Sequence, residues 1–267
     1  MAVIGLIAGE GSFPLLVARQ LKKQGYDLKI AAIENHADKK IGEAASSFVW
    51  AHIGQLRKTI DFFKREGVEE LILAGRVRHA SVFSIKPDLK AVKLIASLKD
   101  KRAATMLKAV CDLFEKEGLK ILSSVEPLKE MLFSAKVYTK RKPSGKEMKD
   151  ISLAASAARL LSGRDIGQTA TVKDGVVVAV EAMEGTDMCI LRSGKLAGAG
   201  TVVVKVARPK QETRFDVPVV GLRTVRKLVQ SGASVFAAEA DSVLFFEQEE
   251  SIRLADENGV CIIGVRS

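Results

Sequence analysis

The stretch Arg208-Pro209-Lys210-Gln211-Glu212-Thr213-Arg214-Phe215-Asp216-Val217-Pro218 packs cations, carboxylates and hydroxyl or amide donors between two prolines, directly after an apolar run. A second polar island, Glu181-Ala182-Met183-Glu184-Gly185-Thr186-Asp187, follows another apolar run upstream. One site built from both would suit a phosphate ester with a metal ion, because hard cations take oxygen ligands and polarise phosphoryl oxygens. The N-terminal half offers two smaller groups, Gly9-Glu10-Gly11-Ser12 and Gly75-Arg76. A glycine turn opening a helix presents backbone N–H groups and a positive helix end to an anion, and an arginine fork can grip a phosphate oxygen. Each group also has a plainer use. The turn can serve strand-to-helix geometry alone, Arg76 can pair with a surface acid, and Thr186 or Asp187 can cap a helix.

The elements that must position these residues alternate. Residues 3 to 8 read as a buried strand, Pro14 to Lys23 as a helix with Ser12 available as its cap, and Leu28 to Ile33 as a strand. Then come a short strand at Phe48 to Ala51, a helix over 55 to 66, and a strand over 70 to 74. This alternation predicts a parallel sheet with helices on both faces, whose ligands sit beyond the carboxyl ends of the strands. Two helices are expected between 88 and 118. The first carries Leu89, Val92, Ile95 and Leu98 with lysines between them, a stripe expected to pack into the core, with contact to acyl chains or the anionic inner leaflet as the alternative. The polar, basic run from Ala135 to Lys149, with its Pro-Ser-Gly breaker, reads as a linker. Beyond it the pattern predicts a helix over 147 to 161 and a hairpin of 169 to 172 with 176 to 180. Strands follow over 201 to 207, 234 to 238, 243 to 246 and 260 to 264, with helices over 224 to 231 and 249 to 258. The expected fold is α/β in two domains, a Rossmann-like parallel sheet over 1–134 and a mixed α/β domain over 150–267, joined by the linker 135–149.

The 267 residues are 47% hydrophobic, enough for a sizeable core. No basic lead-in resembling a signal peptide precedes Gly9, and no apolar run approaches the ~20 residues that span a bilayer. Cys111, Cys189 and Cys261 are odd in number and widely spaced, which argues against a disulfide framework or a structural zinc site. These features predict a reduced, cytoplasmic, soluble protein. The net charge of +10 is concentrated: residues 76 to 102 hold eight basic against two acidic side chains, and 135 to 150 hold six against two. Aromatics are 5% and no nucleic-acid reader motif appears, so an anionic phosphate substrate or an anionic membrane surface is the expected partner rather than nucleic acid. His36, His52 and His79 show no metal spacing.

Five segments together resemble the LpxI-type UDP-2,3-diacylglucosamine pyrophosphatases over essentially the whole length. They are Gly-Leu-Ile-Ala-Gly-Glu-Gly-Ser-Phe-Pro at 5 to 14, Ala-Gly-Arg-Val at 74 to 77, Asp-Ile-Gly-Gln at 165 to 168, Val-Glu-Ala-Met-Glu-Gly-Thr-Asp at 180 to 187 and Lys-Gln-Glu-Thr-Arg-Phe-Asp-Val-Pro at 210 to 218. The resemblance implies a lipid A biosynthesis enzyme of Gram-negative bacteria. Water would cleave the pyrophosphate of UDP-2,3-diacylglucosamine to UMP and 2,3-diacylglucosamine 1-phosphate (lipid X), with the substrate between the two domains and Mg²⁺ or Mn²⁺ as cofactor. It places the family's essential aspartate at Asp216, as metal ligand or water-orienting group, with Asp187 the second candidate metal ligand. Substrate-binding candidates are Gly9, Gly11, Ser12, Gly75, Arg76, Gln168, Glu184, Gly185, Thr186, Asp187, Lys210, Gln211, Thr213 and Arg214. Lys210 and Arg214 suit phosphate, while Gln168, Gln211 and Thr213 suit sugar, phosphate or uracil. Where the family often has Leu-Pro-Thr after the aspartate, this chain has Val217-Pro218-Val219, one hydroxyl fewer. A lipid nucleotide-sugar is thus the expected substrate, with peripheral contact at the cytoplasmic face of the inner membrane and a homodimer as open partner assignments.

Two other readings compete. Glu34 stands at roughly the spacing of the ribose-binding acid of a nicotinamide-dependent oxidoreductase, although Pro14 occupies the place of that pattern's third glycine. A non-catalytic nucleotide-sugar or lipid-binding protein would leave the clustered acids unexplained.

Overall fold

A computed structural model describes residues 1–77, 87–98, 103–209, 214 and 217–266. The chain divides into two compact units, Met1–Leu128 together with a short piece around Arg214, and the remainder from Lys129 onward.

In the first unit β1 (Val3–Ala8), α1 (Phe13–Lys23), β2 (Asp27–Ile33), β3 (Ser47–Ala51), α2 (Leu56–Arg65) and β4 (Glu70–Ala74) alternate, followed by α3 (Leu89–Ala96), α4 (Ala103–Lys116) and β5 (Lys120–Leu122). The sheet order is β3-β2-β1-β4-β5, parallel throughout, with Ile4 opposite Leu28 and Leu6 opposite Ile72. The order reverses between β1 and β4, the switch point at which such sheets leave a crevice. Leu71 and Leu73 pack with Phe62 and Phe63 of α2 and Phe114 of α4, while α1 lies against β1, β2 and β4. Burial on both faces explains why these strands read as continuous apolar runs.

Ser12 holds the N-cap position of α1, but its hydroxyl makes no capping bond; Pro14, early in the helix, presets φ there. The stripe on α3 does not become core. Of that helix only Ala91 is buried, and Leu89 and Val92 are 75% and 47% exposed. α3 is held instead by polar contacts: Asp88 accepts from the Ala91 and Arg57 amides, and Lys90 pairs with Glu117.

The second unit contains α5 (Gly145–Ser162), β6 (Thr169–Lys173), β7 (Val176–Val180), α6 (Thr186–Ala197), β8 (Val202–Lys205), β9 (Val219–Val220), α7 (Leu222–Ser231), β10 (Val235–Glu239), β11 (Leu244–Phe245), α8 (Gln248–Glu257) and β12 (Cys261–Val265). Its main sheet runs β12-β10-β8-β6-β7, with β8, β10 and β12 parallel and β6 antiparallel to both neighbours, and β9 pairs with β11 separately. Strand alternation divides the core cleanly. Val202, Val204, Val235, Ala237, Cys261 and Ile263 face Ile151, Ala154 and Ala158 of α5. Val203, Phe236 and Ile262 face Ile190 of α6, Val225 and Leu228 of α7 and Ala255 of α8. The expected hairpin forms, turning through Asp174 (φ 54°) and Gly175 (φ 78°).

The stretch read as a linker is part of this unit. Val137 bridges to Ile263, the Tyr138 amide donates to the Ile262 carbonyl at 2.9 Å, and the Thr139 hydroxyl accepts from the Ile262 amide at 2.9 Å. Arg141 reaches the Ser234 carbonyl, and Ser144 with Glu147 forms the capping box of α5. The polar residues that suggested solvation satisfy an exposed strand edge and a helix start instead. The division between the units therefore falls at 128/129.

Candidate functional site

In the first unit the two glycine groups meet across the switch point. The Gly9 amide donates to the Ala74 carbonyl at 2.7 Å, and Glu10 and Arg76 exchange backbone bonds at 2.8 and 3.0 Å. A Cβ on Gly9 would lie 2.7 Å from the Arg76 carbonyl oxygen, and one on Gly75 (φ 92°) would lie 2.8 Å from the Gly9 carbonyl carbon. Close approach of the two loops thus accounts for both glycines. It also spends the Gly9 and Glu10 N–H groups, so an anion held here would rely on the later part of the turn, where Gly11 (φ 102°) has open space in place of a Cβ. Glu34 lies 3.1 Å from His52 Nε2. Arg214 belongs with this unit and donates to Glu115 of α4 at 3.0 Å.

The second unit brings its polar groups to one sheet edge. β7 and β8 run the same way with β6 antiparallel between them, so the entry of β6 lies beside the exits of both. Gln168 occupies that entry. Its carbonyl accepts from the Val206 amide at 2.9 Å, while next door the Thr169 carbonyl accepts from the Glu181 amide at 2.8 Å. The start of the island at Glu181 and the exit of β8 at Val206 therefore flank Gln168 on its two sides, as strand direction requires. Gly167 permits the closure, since a Cβ there would lie 2.1 Å from the Glu181 carbonyl oxygen.

Within the first island the side chains are held at specified places. Gly185 (φ 79°) takes the N-cap position of α6, so Thr186 and Asp187 stand inside the first turn rather than capping it. Asp187 accepts from the Thr224 hydroxyl at 3.3 Å and from Arg223 Nε at 2.8 Å, tying α6 to the start of α7. Glu184 pairs with Arg192 at 2.5 Å, and that guanidinium holds its carboxyl below the ordinary value. Thr186 donates to Glu181, a carboxylate only 8% exposed. Beneath them burial pushes the Cys189 thiol up to about 12, which excludes it as a thiolate nucleophile at neutral pH.

On the other side Arg208 pairs with Asp165 at 3.1 Å, and the Ala207 amide donates to Glu239 at 2.8 Å. Lys205, 6% exposed, donates to the Val219 carbonyl at 3.1 Å, so one buried cation joins the strand before the loop to the strand after it. Lys210, Gln211, Thr213 and Asp216 lie outside the described residues. Among the described residues no group of three or more His, Cys, Asp or Glu could hold a metal ion. Glu181, although it opens the polar island, and Lys205 are not among the individual candidates that the sequence singles out. Their signal was present in each case, a single charge closing or interrupting an apolar strand.

A family model described as the LpxI N-terminal domain matches residues 3–131, and one described as the LpxI C-terminal domain matches residues 134–263. The chain is 32% identical over 276 residues to the UDP-2,3-diacylglucosamine pyrophosphatase LpxI of Caulobacter vibrioides, covering 99% of this chain and 98% of that protein. Similar solved structures include L-threonine dehydrogenase from Phytophthora infestans, with a TM-score of 0.32, 10% identity and 96% and 92% of the two chains covered. Another is the biotin carboxylase domain of Hydrogenobacter thermophilus 2-oxoglutarate carboxylase, with a TM-score of 0.28, 13% identity and 65% and 35% covered. Those scores are too low to carry an argument.

Proposed function

This chain belongs to the LpxI family, and from that membership we propose that it is a UDP-2,3-diacylglucosamine pyrophosphatase, a hydrolase of lipid A biosynthesis that cleaves the pyrophosphate bond of its substrate. The observation that carries this is end-to-end identity of 32% with a pyrophosphatase of that name. Water attacks one phosphorus, the bridging P–O bond breaks, and the products are UMP and 2,3-diacylglucosamine 1-phosphate. Pyrophosphate resists this reaction because its oxygens repel a nucleophile, so catalysis consists of neutralising charge and aligning the water.

The carboxyl edge of the second unit's sheet suits that task, with Asp187 and Thr186 in the first turn of α6 and Arg208 across Gln168. Asp216, in the stretch between β8 and β9, is assigned to orient the attacking water or hold a metal, with Lys210 and Arg214 as phosphate contacts. Carboxylate oxygens are the ligand type that Mg²⁺ or Mn²⁺ takes, which supports Asp187 and Asp216 as the assigned ligands. Each oxygen of Asp187 carries one protein donor and retains a further lone pair, and Asp216, outside the described residues, is assigned as the second carboxylate. Such a cation, when bound, would neutralise phosphoryl charge. With only one or two carboxylates, its remaining ligands would be substrate phosphate and water.

Incubation of the purified protein with UDP-2,3-diacylglucosamine, with and without Mg²⁺, tests the reading. UMP release in the presence of Mg²⁺ is expected, and its absence under both conditions overturns the assignment. No helix among the described residues is long and apolar enough to cross a membrane. Peripheral contact with an anionic bilayer is assigned to the lipid-tailed substrate's enzyme on a separate ground, the exposed Leu89 and Val92 beside Lys93.

A further inference from the structure

We propose that Gln168 and Glu181 form an acceptor subsite for a sugar hydroxyl of the nucleotide-sugar, an inference that rests on the reaction given above. Among the described residues Gln168 Oε1 is buried without a hydrogen-bond partner, which is unusual for an amide oxygen because a buried acceptor left unmade destabilises the fold. Glu181, 8% exposed, has one oxygen engaged: its Oε2 accepts from the Thr186 hydroxyl at 3.2 Å and the Gln168 amide at 3.4 Å. Among the described residues no cation pairs with it. The Glu181 carboxylate repels the oxygens of a phosphate, and together with the Gln168 carbonyl oxygen on the adjacent strand end it welcomes a donor. A sugar hydroxyl donates; a pyrophosphate does not.

The backbone of Gln168 is locked on both sides, by Val206 and by Glu181, so only its side chain is left to adjust. The last torsion of a glutamine is soft and roughly two-fold, which lets Oε1 turn toward a ligand. Through Oε2 Glu181 also holds the Gln168 amide and the Thr186 hydroxyl in place, and Thr186 in turn lies 3.3 Å from the Thr169 hydroxyl. Phosphate recognition is thereby left to cationic side chains such as Arg208 beyond the exit of β8.

The hydroxyl has two sources, the ribose and the glucosamine ring, and three soluble probes distinguish them: UMP, glucosamine 1-phosphate and inorganic pyrophosphate, titrated calorimetrically into wild type, Gln168→Leu and Glu181→Gln. Gln168→Leu is expected to weaken one of the two sugar phosphates about tenfold while pyrophosphate is unchanged, and the affected probe identifies the ring. Glu181→Gln is expected to weaken the same probe and to raise KM more than it lowers kcat. Should Gln168→Leu lose its folded melting transition, Gln168→Asn, which withdraws the acceptor by one methylene, takes its place. Unchanged affinity for both sugar phosphates, or equal weakening of pyrophosphate, overturns the proposal. So does a loss of Mn²⁺ affinity by electron paramagnetic resonance in either variant, which would make the pair a cation site. Wild type that binds UMP yet releases none from UDP-2,3-diacylglucosamine would sink the reaction and leave the subsite standing.

Discussion

Asp216 and Glu181 were reached by opposite routes. Asp216 stands out through the motif Arg-Phe-Asp-Val-Pro and its family likeness, since no spacing rule singles out one acid among many. Replacing it with alanine should leave binding and folding intact while UMP production falls by about 100-fold or more, the scale of losing a positioned acid or base. Near-normal turnover would remove Asp216 from the chemistry. Glu181 shows its place only in three dimensions, where its carboxylate disappears beneath Thr186. Gly167 likewise reads as an ordinary turn residue until the Glu181 carbonyl is found where its Cβ would stand. Gly167→Ala should therefore destabilise by about 1–3 kcal/mol, the usual cost of overpacking, seen as a lower melting temperature. An unchanged melting temperature would mean that the sheet edge can open without penalty.

At the scale of elements, α5 offers the sharpest test. Its start was legible as Ser144 followed three residues later by Glu147, and both halves of the box form. Removing the hydroxyl in Ser144→Ala should cost about 1 kcal/mol in a denaturant titration. Burial pushes the Glu147 carboxyl up, but bonds from the Ser144 amide, Arg141, Ser234 and the Ser144 hydroxyl outweigh it and bring the value to about 2. A carboxylate whose folded value is depressed adds stability above its ordinary value of 4.5 and loses it as the pH falls toward about 2. The stability of Glu147→Gln should accordingly fall less steeply than wild type between those two pH values, and parallel curves would deny the linkage. α3 failed the same kind of reading. Spacing at i, i+3 states that one face is apolar, not that anything covers it, and Leu89 and Val92 remain exposed.

Across the whole molecule two cores are built on separate sheets, and the charge excess is as local as the cores are. Residues 76 to 102 and 135 to 150 carry the entire net charge of +10. The second of these runs is bound into the C-terminal unit, with Arg141 on Ser234 and Lys146 on Asp174. The first includes exposed Leu89 and Val92 of α3, to which the proposed bilayer contact is assigned. Flotation with vesicles should rise with anionic lipid content, fall as salt screens the attraction, and drop for Lys93→Glu and Leu89→Ser. Flotation indifferent to lipid charge and to both variants would detach α3 from any membrane role.

By itself the sequence determined the α/β alternation, most strand and helix positions, the hairpin through Asp174 and Gly175, and the motifs that carry family membership. Those are properties of local periodicity, turn chemistry and short runs of residues. Tertiary structure decided the rest. Antiparallel β6 between β7 and β8 places Gln168 between the exits of those strands, the edge of β12 absorbs the supposed linker, and loop-to-loop bonding spends two N–H groups of the glycine turn. Strand direction and neighbour order depend on pairings between residues far apart in the chain, and no local pattern records which distant partner a polar group will meet.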